Sequence, residues 1–359
     1  MAKIVYGVSG EGSGHSSRAR EMAAHLISSG HQVRIASYDR GYRNLHEDFD
    51  VLPIAGLTIV SVNNKVSIVK TLIKNIKALA HIRHTFKTLR QKLFDDFKPD
   101  CVISDFEPMS AYLAKRYKLP LISLDNQHRM RYMEYPPPPG QYKDALITKM
   151  VIRAMIPKPD VSLIITFYYG KIKNQHSFLF PPILRKEILE LTPTKCDHIL
   201  VYTTWGFDAL VQQLKQFTQE HFIVYGYDHT QENKQEGNIQ FKPFSKTHFL
   251  TDLASAKAVI ATAGFTLMTE SLHLGKPYLA LPMQGQFEQV LNAHMLQEAG
   301  YGMQAKGTDT DKIVAFLGNL STFEHNLQQY PKQGNTAIIE KLDKLLADDL
   351  AELKSLASK

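Results

Sequence analysis

Short apolar runs alternate with segments of helical period along the whole chain, and this alternation constrains the fold more than any other feature. Strand-like runs at 3–8, 31–37, 99–105 and 120–124 are interleaved with helical patterns at 16–29 and 108–117. A second series places strands at 199–202, 222–225, 239–241 and 258–261 among helices at 207–216, 247–254 and from Thr266 onward. Alternation of this kind predicts a parallel sheet covered by helices, which binds ligands at the carboxyl ends of its strands. Two such series in 359 residues predict two Rossmann-like, doubly wound α/β domains with a cleft between them. The expected boundaries are 1–180, a linker over 181–196 marked by Pro181, Pro182 and Pro193, then 197–334 and a helical segment over 335–359. Within 132–142, the run from Pro136 to Pro139 followed by Gly140 is incompatible with helix or central strand and reads as an exposed loop.

Composition fixes the class of protein. Hydrophobic residues at 44% and charged residues at 21% match folded globular domains and exclude disorder. Cys101 and Cys196 lie far apart and match no metal-ligand spacing, which points to a reducing compartment, the cytoplasm, without a zinc or iron–sulfur site. The first residues enter a strand at once, so no secretion signal is expected. The longest apolar run, 161–169, is about half of the ~20 residues that a membrane-spanning helix needs.

The segment Gly10-Glu11-Gly12-Ser13-Gly14-His15 fails the dinucleotide fingerprint, because the third glycine falls on His15. Asp39 imitates a ribose-binding acid, yet Asp39-Arg40-Gly41 is also an ordinary turn sequence. What the loop offers is unobstructed backbone N–H groups and an imidazole at the start of a helix; the alternative for His15 is a capping or packing role. The richest stretch runs from Ala261 through Gly264-Phe265-Thr266 to Glu270, followed by Gln286-Phe287-Glu288-Gln289. A glycine turn feeding a helix with Thr266 in its first turn makes an anion site, and Glu270, one turn on, is placed to accept from two ribose hydroxyls. Singly these are ordinary features, since Thr266 also reads as a cap and Glu270 as its capping-box partner.

In their order and spacing these residues resemble the donor signature of the GT-B glycosyltransferases, in particular the UDP-glycosyltransferases and the N-acetylglucosaminyltransferase that forms lipid II. The resemblance implies that Gly264, Phe265 and Thr266 hold the donor diphosphate, Glu270 the ribose, and Glu288 with Gln289 the donor sugar, with Gln286 beside them. It aligns Phe244 with the segment that packs on the nucleotide base and puts Thr203 and Thr204 on the first loop of the donor domain. It implies that His15 is the catalytic base and Asp105 the acid that orients it. Gly12, Ser13 and Gly14, with Asp125, Asn126, Gln127 and His128, fall on the phosphate-loop and acceptor side. The strings around Asp105, Asp125 and Glu288 look like a prokaryotic branch of this superfamily whose acceptors are mostly unassigned. One position departs: several members carry a histidine two residues before the glycine, and Thr262 stands there. The implied chemistry is an inverting, metal-independent transfer of a hexose from a UDP-sugar to a cell-envelope, lipid-linked acceptor. Asp309-Thr310-Asp311 resembles a metal-binding D-x-D signature but precedes an apolar helix, which favours capping, so no metal is expected.

The net charge of +7 has a local origin. No acid occurs between Asp50 and Asp95, and that interval holds Lys65, Lys70, Lys74, Lys77, Arg83, Lys87, Arg90 and Lys92, leaving 34 bases against 35 acids elsewhere. Its helical periodicity over 62–97 fits a helix packed on its sheet, and equally an element lying on an anionic membrane through 65–92; Lys149 and Arg153 sit in a segment of similar character. No aromatic-interleaved pattern accompanies the bases, so nucleic acid is not an expected partner. Two other readings remain open on the sequence: a UDP-sugar epimerase on the same fold, and a non-catalytic protein that binds nucleotide sugars or membranes.

Overall fold

The chain divides into two units, Met1–Val60 with Ser67–Arg185 and Gln333–Lys359, and Ser61–Val66 with Lys186–Lys332. The computed structural model describes residues 1–56, 61–62, 65–66, 79–202, 208–227, 232–283, 285–305 and 309–358.

The first unit is built on β1 (Lys3–Val8), β2 (Gln32–Ser37), β3 (Val51–Pro53), β4 (Cys101–Asp105), β5 (Leu121–Asp125), β6 (Val161–Ile165) and β7 (Ser177–Phe180). Their order across the sheet is β3-β2-β1-β4-β5-β6-β7, all parallel. Residues of β4, β5 and β6 are buried throughout, as expected of strands covered on both faces. The strand order reverses between β1 and β4, and at such a switch point the loops leaving the strands part to make a crevice. The helices are α1 (Ser13–Ser28), α2 (Asp39–Leu45), α3 (Leu79–Leu89), α4 (Pro108–Arg116), α5 (Arg129–Tyr132) and α6 (Tyr142–Met155). One core packs Val5 and Val102 against Leu89, Leu93 and Phe94 and against Ala111 and Leu113 of α4.

The second unit repeats the plan with β8 (His198–Tyr202), β9 (His221–Tyr225), β10 (Lys234–Glu236), β11 (Ile239–Lys242), β12 (Ala258–Thr262), β13 (Tyr278–Leu281) and β14 (Gly302–Gln304). The order is β10-β11-β9-β8-β12-β13-β14; β10 runs antiparallel and the others parallel. Here the switch point lies between β8 and β12. The helices that matter for the site are α7 (Lys246–Ser255), α8 (Phe265–His273), α9 (Phe287–Glu298) and α10 (Thr310–Gly318). Two α/β sheets in this order are the fold class expected from the alternation.

Residues 333–359, including α11 (Thr336–Leu346), group with the first unit. The Asn335 side-chain amide fixes that return, donating to the Leu184 carbonyl at 2.7 Å and accepting from the Leu184 N–H at 2.9 Å.

Three local expectations are corrected. The first helix begins at Ser13 instead of residue 16, because Gly12 takes φ 78° as its N-cap and turns the chain early. Asp39-Arg40-Gly41 is the first turn of α2, where the Asp39 carboxylate pairs with Arg43 at 2.6 Å. The 62–97 stretch does not start as helix: Val62 pairs antiparallel with Lys65, and α3 runs on into a wider-wound segment, Arg90–Asp96. Residues 63–64 and 67–78, with Lys70, Lys74 and Lys77, lie outside the described residues. No helix among the described residues is long and apolar enough to cross a membrane.

Candidate active site

The carboxyl edge of the first sheet gathers the residues of the N-terminal loop. β1 ends at Val8, in register with Asp105, the last residue of β4. The intervening loop packs closely on Tyr38, since a Cβ on Gly10 would lie 2.0 Å from the Tyr38 carbonyl oxygen. Glycine there lets the loop lie against the end of β2, and Gly12, Ser13 and Gly14 then start α1. His15 falls in its first turn, buried and facing the sheet.

His15 Nδ1 lies 2.7 Å from Asp105 Oδ1. Arg18, one turn along α1, donates from Nε to Asp105 Oδ2 at 2.6 Å and from Nη2 to Oδ1 at 2.5 Å. Its third donor, Nη1, reaches Asn126 Oδ1 at 3.2 Å. Asp105 Oδ1 thus accepts from two donors, and their convergence brings Arg18 Nη2 within 2.7 Å of His15 Nδ1. With Nδ1–H donating to the carboxylate, Nε2 is the ring nitrogen left to accept a proton. Burial alone would raise the Asp105 pKa; the charges of Arg18 and His15 and their hydrogen bonds outweigh it and hold the carboxyl below its ordinary range. Burial works against the Arg18 charge too, but Asp105 more than restores it. Tyr6, on β1 beside this group, has its pKa pushed up by burial and by Asp105.

Arg18 is the residue that motif reading missed. The signal was present: it is a cation inside the otherwise buried stripe of α1 that includes Ala19, Met22 and Leu26. Glu107, a second buried carboxylate nearby, is structural; it caps α4 by accepting from the Met109 and Ser110 N–H groups at 2.7 and 2.8 Å.

Asp125 ends β5, and its carboxylate is occupied by His128, with Oδ1 accepting from the His128 N–H at 2.8 Å and Oδ2 2.7 Å from Nδ1. Both are fully buried, as is Asn126, and Gln127 is nearly so. This loop joins the His15–Asp105 group through the hydrogen bond from Arg18 to Asn126.

In the second unit Gly264 caps α8 without a side-chain hydrogen bond, and open space lies where its Cβ would be. The first-turn N–H groups of Phe265 and Thr266 follow it, at the carboxyl end of β12. A helix start with an open glycine cap is suited to an anion. Glu270 is buried in the second turn. Asn292 of α9, also missed from sequence, donates to the Ala263 carbonyl at 2.9 Å and ties α9 to this turn. Gln286, Glu288 and Gln289 lie at the start of α9, where the Gln289 side chain accepts from the Met283 N–H at 3.0 Å and donates to Gln286 Oε1 at 2.7 Å. Phe244, 65% exposed, follows β11, backed by Phe249 at 5.9 Å and Tyr202 at 6.4 Å between ring centres. Thr203 and Thr204 lie outside the described residues. Thr262 contributes its backbone, accepting from the Tyr278 hydroxyl at 2.6 Å. Asp309 is the N-cap of α10, accepting from the Asp311 and Lys312 N–H groups. Among the described residues no group of three His, Cys, Asp or Glu side chains is placed to hold a metal ion.

Residues 2–321 match the family model described as glycosyl transferase family 1. An uncharacterized glycosyltransferase of Methanosarcina mazei is 26% identical over 343 residues, 87% of this chain and 88% of the relative. The UDP-N-acetylglucosamine–N-acetylmuramyl-(pentapeptide) pyrophosphoryl-undecaprenol N-acetylglucosamine transferase of Lachnospira eligens is 29% identical over 150 residues, 39% of this chain and 41% of that one. Among solved structures, the glycotransferase of kitacinnamycin superposes with a TM-score of 0.70 at 14% identity, covering 96% of this chain and 98% of that one.

Proposed function

The chain belongs to glycosyl transferase family 1 and is a GT-B-fold glycosyltransferase, and from that premise we propose that it is an inverting, metal-independent enzyme that moves a hexose from a UDP-sugar to an acceptor hydroxyl. The observation that carries this reading is the buried His15–Asp105 pair at the switch point of the first sheet. An acceptor hydroxyl is a weak nucleophile at its unperturbed pKa, so a neutral imidazole oriented by a carboxylate serves as its base. His15 Nε2 takes the hydroxyl proton as the acceptor oxygen bonds the anomeric carbon. The bond from that carbon to the diphosphate breaks, and the electron pair leaves with UDP. One displacement inverts the anomeric configuration. Asp105 stabilises the imidazolium, and Arg18 keeps Asp105 ionised and fixed.

The second unit takes the donor. The Gly264–Thr266 helix start meets the charge that develops on the departing diphosphate, Glu270 accepts from the ribose, Phe244 stacks on the uracil, and Glu288 with Gln289 contacts the sugar. A UDP-sugar as donor is supported by the Lachnospira relative, whose name specifies one. The name of the same relative specifies a pyrophosphoryl-undecaprenol acceptor, which supports a lipid-linked acceptor; a lipid-linked acceptor of the cell envelope would in turn bring the enzyme to the cytoplasmic membrane face.

A thermal-shift screen of nucleotides and nucleotide sugars tests the donor, since a ligand selective for the native state raises the melting temperature. Uridine diphosphate and UDP-hexoses should raise it and adenine or nicotinamide nucleotides should not; a shift with NAD alone would sink the reading. NMR of the product with acceptor present should show the inverted anomer, whereas a new UDP-sugar stereoisomer formed without acceptor would make the protein an epimerase.

A further inference from the structure

A cavity of about 480 Å³ opens on the first unit between α6 and the starts of β6 and β7, where Ser162 and Ser177 line it. The strands are parallel, so this is the end of the sheet opposite His15 and Asp105. Its walls carry Arg131, Lys149, Arg153 and Lys158 and no carboxylate. None of the four is ion-paired among the described residues; the nearby Asp160 is taken by Lys115 at 2.8 Å. Burial and then the adjacent Arg153 charge lower the Arg131 pKa, against the opposing influence of Tyr132. His176 adds a buried Nδ1 without a hydrogen-bond partner among the described residues. Cations gathered without a counter-charge, beside an unsatisfied ring nitrogen, await an anion.

The mouth of the cavity continues into an apolar surface. On α6, Tyr142, Leu146, Ile147, Met150 and Val151 are each at least half exposed, at 72, 59, 53, 56 and 50%. Leu146 and Met150 belong to both the cavity and this face. Apolar residues dipping beside a ring of cations match the interface of an anionic bilayer, which offers phosphate at one depth and hydrocarbon just below. A second copy of the chain matches less well, because a two-fold contact through α6 would gather the cations of both copies, Lys149 and Arg153 among them, into one interface.

We propose that the α6 face docks on an anionic membrane, with a lipid phosphate seated among Arg131, Lys149, Arg153 and Lys158. This places the membrane contact of the first unit on α6, outside the acid-free interval. In that interval Lys87 and Lys92 are exposed among the described residues, while Arg90 is paired with Asp95. The inference rests on the membrane-borne acceptor proposed above.

The test is co-sedimentation of the full chain with vesicles of phosphatidylcholine alone or with added phosphatidylglycerol. The protein should pellet with the anionic vesicles only. Lys149→Gln and Arg153→Gln should each weaken binding about fivefold at low salt, and Ile147→Gln with Val151→Gln should weaken it further at an unchanged melting temperature. Millimolar inorganic phosphate should not release the protein. The proposal is overturned by failure to bind, by unchanged binding of the glutamine variants, by release with inorganic phosphate, or by self-association that Ile147→Gln abolishes. Turnover of free UDP-sugar, measured without vesicles, reports on the donor reading separately. A protein that consumes donor yet ignores vesicles refutes only the docking site.

Discussion

Asp105 is the residue on which the first unit's polar network converges, and its charge state sets two expectations. Its folded pKa lies below the ordinary value of 3.8. It therefore adds stability that is present above that value and lost as the pH falls through the folded one. Chemical denaturation from pH 6 down to pH 2 should show wild type and Asp105→Asn running parallel down to about pH 4 and wild type losing stability more steeply below it, by up to about one proton, or ~1.4 kcal/mol per pH unit. The Asn variant itself should be ~3–5 kcal/mol less stable at pH 7, because Arg18 is left buried without its counter-charge. Arg18→Met should lower kcat about 10- to 100-fold through misplacement of the dyad, with donor affinity unchanged; a loss confined to donor KM would remove Arg18 from the proton-transfer machinery. His15 and Asp105 stand out as candidates in the sequence through the resemblance of the strings around them to a known family, and the structure brings them within 2.7 Å. Arg18 shows in the sequence only as a cation within an apolar helical stripe; its partners Asp105 and Asn126 are distant in sequence, so its contacts come from the fold alone.

At the scale of elements, what local chemistry decides was readable and what packing decides was not. Asp309 was expected to cap a helix, and it does; Asp309→Ala should cost about 1 kcal/mol of stability without altering turnover. The start of α1 was misplaced because Gly12 can adopt φ 78° without strain, a freedom that periodicity does not register. The open glycine cap of α8, proposed to hold the diphosphate, shows in the sequence as a glycine turn before an apolar helix, whereas the tie from Asn292 to Ala263 joins two elements and leaves no local mark. Glu270→Ala should weaken UDP binding about 10- to 100-fold, as expected for lost hydrogen bonds to a charged group. Phe244→Ala should cost about 1–3 kcal/mol of nucleotide affinity if its exposed ring stacks on the base. Calorimetric titration of UDP into each variant reads both, and unchanged affinity in either removes that residue from the donor site.

At the scale of the molecule, strand–helix alternation announced two doubly wound sheets, and both have the strand order of that class. The sequence suggests a linker over 181–196 and a boundary at 334/335, and the units meet at Arg185–Lys186 and Lys332–Gln333; no residue pattern says that the last segment groups with the first unit. Its return is held by Asn335 bonding to the backbone of Leu184, a contact that any residue but proline at 184 would provide. The central claim is a division of labour, in which the first unit supplies the base and the second holds the donor. It is tested most directly by His15→Ala, measured for UDP affinity by calorimetry and for transfer from UDP-hexoses on the same preparation. The account predicts UDP affinity equal to wild type and transfer reduced by about 10²- to 10⁴-fold, the usual contribution of a general base. Transfer at a near-normal rate would contradict it.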